Sequence, residues 1–151
     1  MDIKEDLLHR VLYATDASAY RELPQGVFYP RNKKELVDVV LYAAVKGVSL
    51  IPRAGGTSIA GQVVGNGLVV DISRYMNRIL EINPDEGWAR VEPGVVLDQL
   101  NKEASRYGLF FGPETSTSNR CCIGGMVGNN SCGSHSLVYG STRDHLIEAE
   151  V

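Results

Sequence analysis

Ten of the sixteen glycines in this 151-residue chain fall in two short stretches, residues 55–67 and 124–140. Glycine reaches positive φ without steric cost and lets a ligand or another chain segment come close to the backbone. It also weakens the interior of a helix or strand. The two stretches therefore read mainly as loops, with most regular elements in the segments around them. The length is that of one ordinary domain. With 44% hydrophobic and 22% charged residues, there is enough apolar material for a packed core.

Charge and patterning exclude several classes. Fifteen Lys and Arg against eighteen Asp and Glu give a net charge of -3, and no segment concentrates basic residues, so the electrostatic footprint of a nucleic-acid binder is missing. The most apolar segment, residues 36–51, is interrupted by Asp38 and Lys46 and falls short of the ~20 residues that span a bilayer. The N-terminus carries Asp2, Glu5 and Asp6 where a signal peptide is basic and then apolar. A cytoplasmic chain is expected, with the full-length protein either free there or peripheral to the membrane. Cys121, Cys122 and Cys132 cannot all pair and lack the spacing of a structural zinc site, so reduced thiols and no metal are expected.

Helical spacing over residues 3–12 suggests an N-terminal helical arm occupying residues 1–25, followed by one compact unit over residues 26–151. A short strand over residues 26–29 meets Pro30. Asn32 with Glu35 then opens a helix whose apolar stripe reads as Leu36, Val37, Val40, Leu41 and Ala44, closed by Gly47. Residues 48–51 and 67–72 read as buried strands. Residues 79–82 and 88–92 flank a turn and make a hairpin. A helix is expected from about Leu97 to Tyr107, ended by Gly108, and a short one near residues 125–130. Residues 146–151 read as the opening of a further strand, which suggests a domain incomplete at its C-terminus.

The loop Pro52-Arg53-Ala54-Gly55-Gly56-Thr57-Ser58 follows a strand, where successive backbone N–H groups can turn together into an anion-binding nest. The hydroxyls of Thr57 and Ser58 add candidate donors. Two known phosphate motifs fail here. Gly56 and Gly61 have P-loop spacing, but Gln62 and Val63 stand where Lys and Ser or Thr are required. Gly65-Asn66-Gly67 precedes a strand and has Val70 at the third glycine of a dinucleotide fingerprint. The stretch 123–133 reads as a second run of accessible backbone donors and acceptors with Asn amides beside them. Two such loops suit one extended ligand with several polar groups.

Taken in order, Gly26-Val27-Phe28-Tyr29-Pro30, Ile51 through Ser58, residues 67–72, Val91-Glu92-Pro93-Gly94-Val95, Pro113-Glu114-Thr115-Ser116, Ile123-Gly124-Gly125 through Gly133, and Tyr139-Gly140 resemble the FAD-binding domain of the vanillyl-alcohol-oxidase type. Within that superfamily the chain is similar to the FAD-linked D-lactate dehydrogenase and glycolate oxidase group. The resemblance implies an α+β fold with small mixed sheets flanked by helices. It places the FAD pyrophosphate on Arg53, Ala54, Gly55, Gly56, Thr57 and Ser58. Pro113, Glu114, Thr115 and Ser116, with Ile123, Gly124, Gly125, Gly128, Asn129 and Ser131, then follow the ribityl chain and flavin ring.

Covalently attached relatives often carry His where Thr57 stands, so the resemblance implies non-covalent FAD. It also implies hydride transfer from a D-2-hydroxy acid, of the D-lactate or glycolate type, to the flavin. The substrate-binding domain is expected after Val151, so no catalytic residue is assigned within the chain, and the electron acceptor stays open. His135 and His145 read as surface or loop-anchoring residues and Cys121 and Cys122 as packing residues. Two alternatives stand beside this reading: a non-catalytic FAD- or nucleotide-binding module, and an oxidase of another alcohol on the same domain.

Overall fold

The computed structural model describes residues 1–151, which form two compact units, Met1–Met76 and Asn77–Val151. Secondary structure is a mixture of short helices and small sheets, an α+β fold.

In the first unit, α1 (Leu7–Leu12) begins later than the sequence spacing suggests. The Asp6 side chain caps it by accepting from the His9 backbone N–H at 3.1 Å, and the N–H and C=O of Lys4 are spent on Val27 at 2.8 and 2.9 Å. Residues 3–5 thus lie beside β1 (Gly26–Phe28), and the stretch read as an arm is tied into this unit. No residue of α1 is buried.

The sheet has the order β1-β3-β2, all parallel, with β2 at Leu50–Arg53 and β3 at Leu68–Asp71. The central strand β3 is buried along its whole length, as expected where both neighbours pair with it. The expectation of a buried strand over residues 48–51 is corrected: β2 starts at Leu50 and is only half-buried. Val48 is not free to pair, because its N–H closes the preceding helix on Ala43 O at 3.0 Å. As an edge strand, β2 also tolerates Pro52.

The helix α2 (Lys33–Lys46) is capped as expected by Asn32, whose Oδ1 accepts from Glu35 N at 3.0 Å, and ends at Gly47 with φ +65°. Its buried face differs from the expected one. Val39 and Ala43 are buried, with Leu36 and Tyr42 packed on the core of Phe28, Val39, Leu68 and Val70, while Val37, Val40 and Leu41 are exposed. The helix is apolar nearly all round, so its periodicity admits two stripes, and contact with the sheet selects one.

The second unit opens with the hairpin β4 (Ile79–Asn83) and β5 (Trp88–Val91). It continues with α3 (Leu97–Ala104), a 3-10 turn at Ser105–Tyr107 ended by Gly108 at φ +71°, and α4 (Ile123–Asn129). The helix α5 (Ser136–Tyr139) and a 3-10 turn at Thr142–His145 follow. Leu97, Cys121 and Met126 form its core with Phe111 and Ile123 against them. The strand expected over residues 146–151 is absent: no other strand pairs with this segment, and a strand exists only through its ladder.

Glu92 is buried at the hairpin's end, where its carboxylate accepts from the Arg78 backbone N–H at 2.8 Å and from Arg78 Nη2 at 2.7 Å. The Arg78 side chain beside it holds its pKa below the usual glutamate range. A folded-state pKa below the unfolded one gives stability that is full above the unfolded value and lost as pH falls through the folded value. The melting temperature is therefore expected to fall as pH is lowered through the carboxylate range. In Glu92→Gln that dependence is expected to be shallower, as calorimetry across the acid range would show.

Candidate functional site

The glycine loop grows directly out of β2. Ile72 N–H bonds to Arg53 O at 3.0 Å, which ends the ladder, and the chain then turns through Gly56 at φ +63° and Gly61 at φ +72°. The backbone N–H groups of Gly55, Gly56, Thr57 and Ser58 find no acceptor in the chain. Four such neighbouring donors, part-exposed, are available to an anion.

The hydroxyls divide. Thr57 is uncommitted, whereas Ser58 Oγ donates to Gln62 Oε1 at 2.8 Å and accepts from Ala60 N and Gln62 N. The reading of Ser58 as a hydroxyl donor to a ligand is thereby corrected: its hydroxyl braces the loop. The Arg53 side chain lies between Gly56 and Tyr13. Its guanidinium lies over the Tyr13 ring at 5.0 Å and reaches Tyr13 O at 3.5 Å.

In the second unit the expected donor run over residues 123–133 is also corrected. That stretch begins with α4, where most N–H groups are already bonded and Gly125 N–H alone of the first turn is left without an acceptor. Ile123 N is bonded to Val95 O, Gly124 N to Pro93 O and Ser131 N to Met126 O. What α4 offers instead is an exposed face on which two of three residues have no side chain. Gly125, Gly128 and Asn129 are exposed at i, i+3 and i+4, which puts them on one face of the helix. Gly124 lies against Pro93, so close that a Cβ there would stand 2.6 Å from the proline ring. Ser131 is held from the carbonyl side, where Thr142 bonds through N–H at 3.0 Å and through Oγ1 at 2.7 Å.

A continuous run of uncommitted donors lies on the other predicted segment of this unit. Pro113 is fully buried, and the backbone N–H groups of Glu114, Thr115, Ser116 and Thr117 have no acceptor in the chain. Thr117 went unremarked in the sequence because nothing local separates it from its neighbours. The Glu114 carboxylate pairs with His135 Nδ1. His145 anchors the following turn through Tyr139 O at 2.5 Å. Cys121 and Cys122 are buried and Cys132 is exposed, all as free thiols. No helix is long and apolar enough to cross a membrane.

Each unit thus carries its own set of uncommitted backbone donors, at the glycine turn of the first and along the Thr/Ser segment of the second, and neighbouring N–H groups of this kind suit an anionic ligand. Residues 24–151 match the family described as FAD binding domain, and the chain belongs to that family. Its cofactor is FAD, and the donor set fits it, since a pyrophosphate needs several N–H groups within one turn.

The chain is 48% identical over 141 residues to D-2-hydroxyglutarate dehydrogenase of Escherichia coli (strain K12), covering 91% of this chain and 14% of that protein. It is 33% identical over 166 residues to glycolate oxidase subunit GlcD of Bacillus subtilis (strain 168), covering 99% of this chain and 35% of that one. Among solved structures, alkyldihydroxyacetonephosphate synthase shares the fold with a TM-score of 0.83 at 24% identity, over 94% of this chain and 31% of that one. The chain thus spans only 14% to 15% of the length of the D-2-hydroxyglutarate dehydrogenases it matches at 43% to 49% identity.

Proposed function

We propose that this chain is the FAD-binding portion, over residues 26–151, of a flavin-dependent dehydrogenase that oxidises a D-2-hydroxy acid, and that FAD is held without a covalent bond. The observation that carries the cofactor assignment is the set of four uncommitted N–H groups at residues 55–58. They and the Thr57 hydroxyl take the pyrophosphate oxygens. Arg53 contributes its positive charge nearby and shapes the turn, and Ala54 leads the chain into it. Pro113, Glu114, Thr115 and Ser116 follow the ribityl chain, the last three with free N–H donors. Ile123, Gly124, Gly125, Gly128, Asn129 and Ser131 lie along the flavin, where the bare face of α4 admits a planar ring.

Bound FAD supplies two-electron oxidation of the substrate C–H bond, and the chain's own residues bind and orient it. The substrate class follows from the relatives. Those at 43% to 49% identity are D-2-hydroxyglutarate dehydrogenases, while glycolate oxidase subunits and D-lactate dehydrogenase stand at 29% to 33%. D-2-Hydroxyglutarate is accordingly favoured over D-lactate and glycolate. The groups that recognise the substrate carboxylates and take the hydroxyl proton belong to the rest of the protein.

The purified chain incubated with FAD, desalted and then acid-precipitated should release its yellow colour to the supernatant. Colour retained in the pellet overturns the non-covalent reading, and a colourless protein overturns FAD binding by the chain. For the whole protein, kcat/KM with an artificial electron acceptor should be higher for D-2-hydroxyglutarate than for D-lactate or glycolate, and the reverse order overturns the substrate.

Gly128 supplies a sharper local test. A Cβ there meets nothing within 4 Å, so Gly128→Ala should stabilise the fold by up to ~1 kcal/mol through helix propensity. A methyl on the flavin-bearing face should at the same time weaken FAD binding. Opposite signs in chemical denaturation and in flavin titration are the expected result.

A further inference from the structure

Residues 14–22 form a small closed loop. Glu22 N bonds to Ala14 O at 3.0 Å, and Thr15 and Arg21 pair as an antiparallel bridge. Its bend is braced by Ser18 N on Asp16 Oδ1 at 2.8 Å and Tyr20 N on Ser18 Oγ at 3.1 Å. This is a compact turn with its ends together, of the kind that carries function. It precedes the family match, which begins at residue 24.

Three separate contacts join this segment and the neighbouring Tyr13 to the glycine loop. Ala17 N donates to Gly56 O at 3.2 Å. In a trans peptide the C=O and the following N–H point in opposite directions. Holding Gly56 O toward Ala17 therefore turns the Thr57 N–H, one of the four uncommitted donors, to the far side of that peptide. The Tyr20 ring lies on Gly61, where a Cβ would stand only 2.5 Å from Tyr20 Cδ2. Tyr13 carries the Arg53 guanidinium on its ring, and that guanidinium fills the space beside Gly56, 2.6 Å from where a Cβ would be. Tyr13 is itself fixed, its hydroxyl donating to the buried Asp71 at 2.5 Å, with Asp71 also accepting from Ser73 N and Oγ. Burial and the Asp71 carboxylate raise the Tyr13 pKa well above the usual tyrosine value, so this donor stays protonated.

We infer that residues 13–22 are a clasp that holds the loop over residues 53–61 in its anion-accepting conformation, with Tyr13 and Tyr20 as positioning residues for the FAD pyrophosphate. The inference rests on the assignment of that loop to FAD. Its logic is preorganisation: a loop whose peptide planes are already set loses less conformational freedom when the ligand binds.

Tyr20 is the residue to change, because at 64% exposure its removal leaves the core untouched. In the full chain, Tyr20→Ala is expected to weaken FAD binding by roughly tenfold in a flavin-fluorescence titration, while Tyr20→Phe, which keeps the ring, stays near wild type. Amide exchange without FAD gives a second readout: the Ala17 N–H should exchange faster in Tyr20→Ala, with Val69 and Val70 in β3 unchanged. Wild-type affinity in Tyr20→Ala, or acceleration of loop and β3 amides together, overturns the clasp. A wild-type chain that takes up no FAD overturns the assignment of the loop instead, and the exchange pattern still decides whether the clasp orders it.

Discussion

Gly133→Ala is expected to destabilise the second unit by about 3 kcal/mol and to reduce FAD affinity with it. A Cβ at Gly133 would sit 1.7 Å from the carbonyl oxygen of Glu114 and 2.7 Å from its carbonyl carbon. Both are backbone atoms, so no side chain can rotate to relieve the overlap. The φ of Gly133 lies outside the left-handed region, and the cost is therefore steric. Relief requires one of the two strands of chain to move. Gly133 is held by Ser136, with its N–H on Ser136 Oγ at 2.8 Å and its C=O accepting from Ser136 N at 3.1 Å. The segment of Glu114 to Thr117 must then shift, and its free N–H groups shift with it. Urea denaturation and a flavin titration on the same protein should both respond. Wild-type stability would show that the two segments do not pack this closely.

Gly56→Ala is expected to act on the cofactor as well as on stability. At φ +63° an L-residue costs about 1–2 kcal/mol, and the added Cβ would displace the Arg53 guanidinium from its place on Tyr13. That end of Arg53 is flexible, so the steric overlap is relieved and the backbone cost remains. What suffers is the turn, because Gly56 and Thr57 supply two of the four uncommitted N–H groups and their peptide plane is the one held by Ala17. A loss of FAD affinity of roughly tenfold or more is expected, since each 1.4 kcal/mol is a factor of ten. The change in melting temperature should be smaller than that of Gly133→Ala. The two variants thus separate a glycine required by packing from one required by conformation.

Several elements were legible because their causes are local. Asn32 and Gly47 bracket α2 through side-chain capping and positive φ, and the hairpin over residues 79–91 follows from its turn residues. The buried run of β3 and the glycine loop after β2 were legible on the same grounds. Elements that depend on a partner were not. The stripe of α2 could not be chosen from an all-round apolar helix, and β2 began two residues late because Val48 was already committed to closing that helix. Residues 146–151 have the composition of a strand without the ladder that makes one.

The site divides along the same line. Sequence alone determined that the backbone around Gly55 and Gly56 must turn sharply after a strand and that no P-loop lysine stands there, because both follow from residue identity and spacing. Only the tertiary structure decided which donors are free. Ser58 is consumed by Gln62, most of the donors expected over residues 123–131 are taken by α4 and by Pro93 and Val95, and Arg53 is drawn to Tyr13, forty residues away in the chain. A hydrogen-bonding group serves a ligand only if the fold has not used it already. That depends on partners brought together from distant parts of the chain, such as Tyr13 and Asp71, which no local pattern connects.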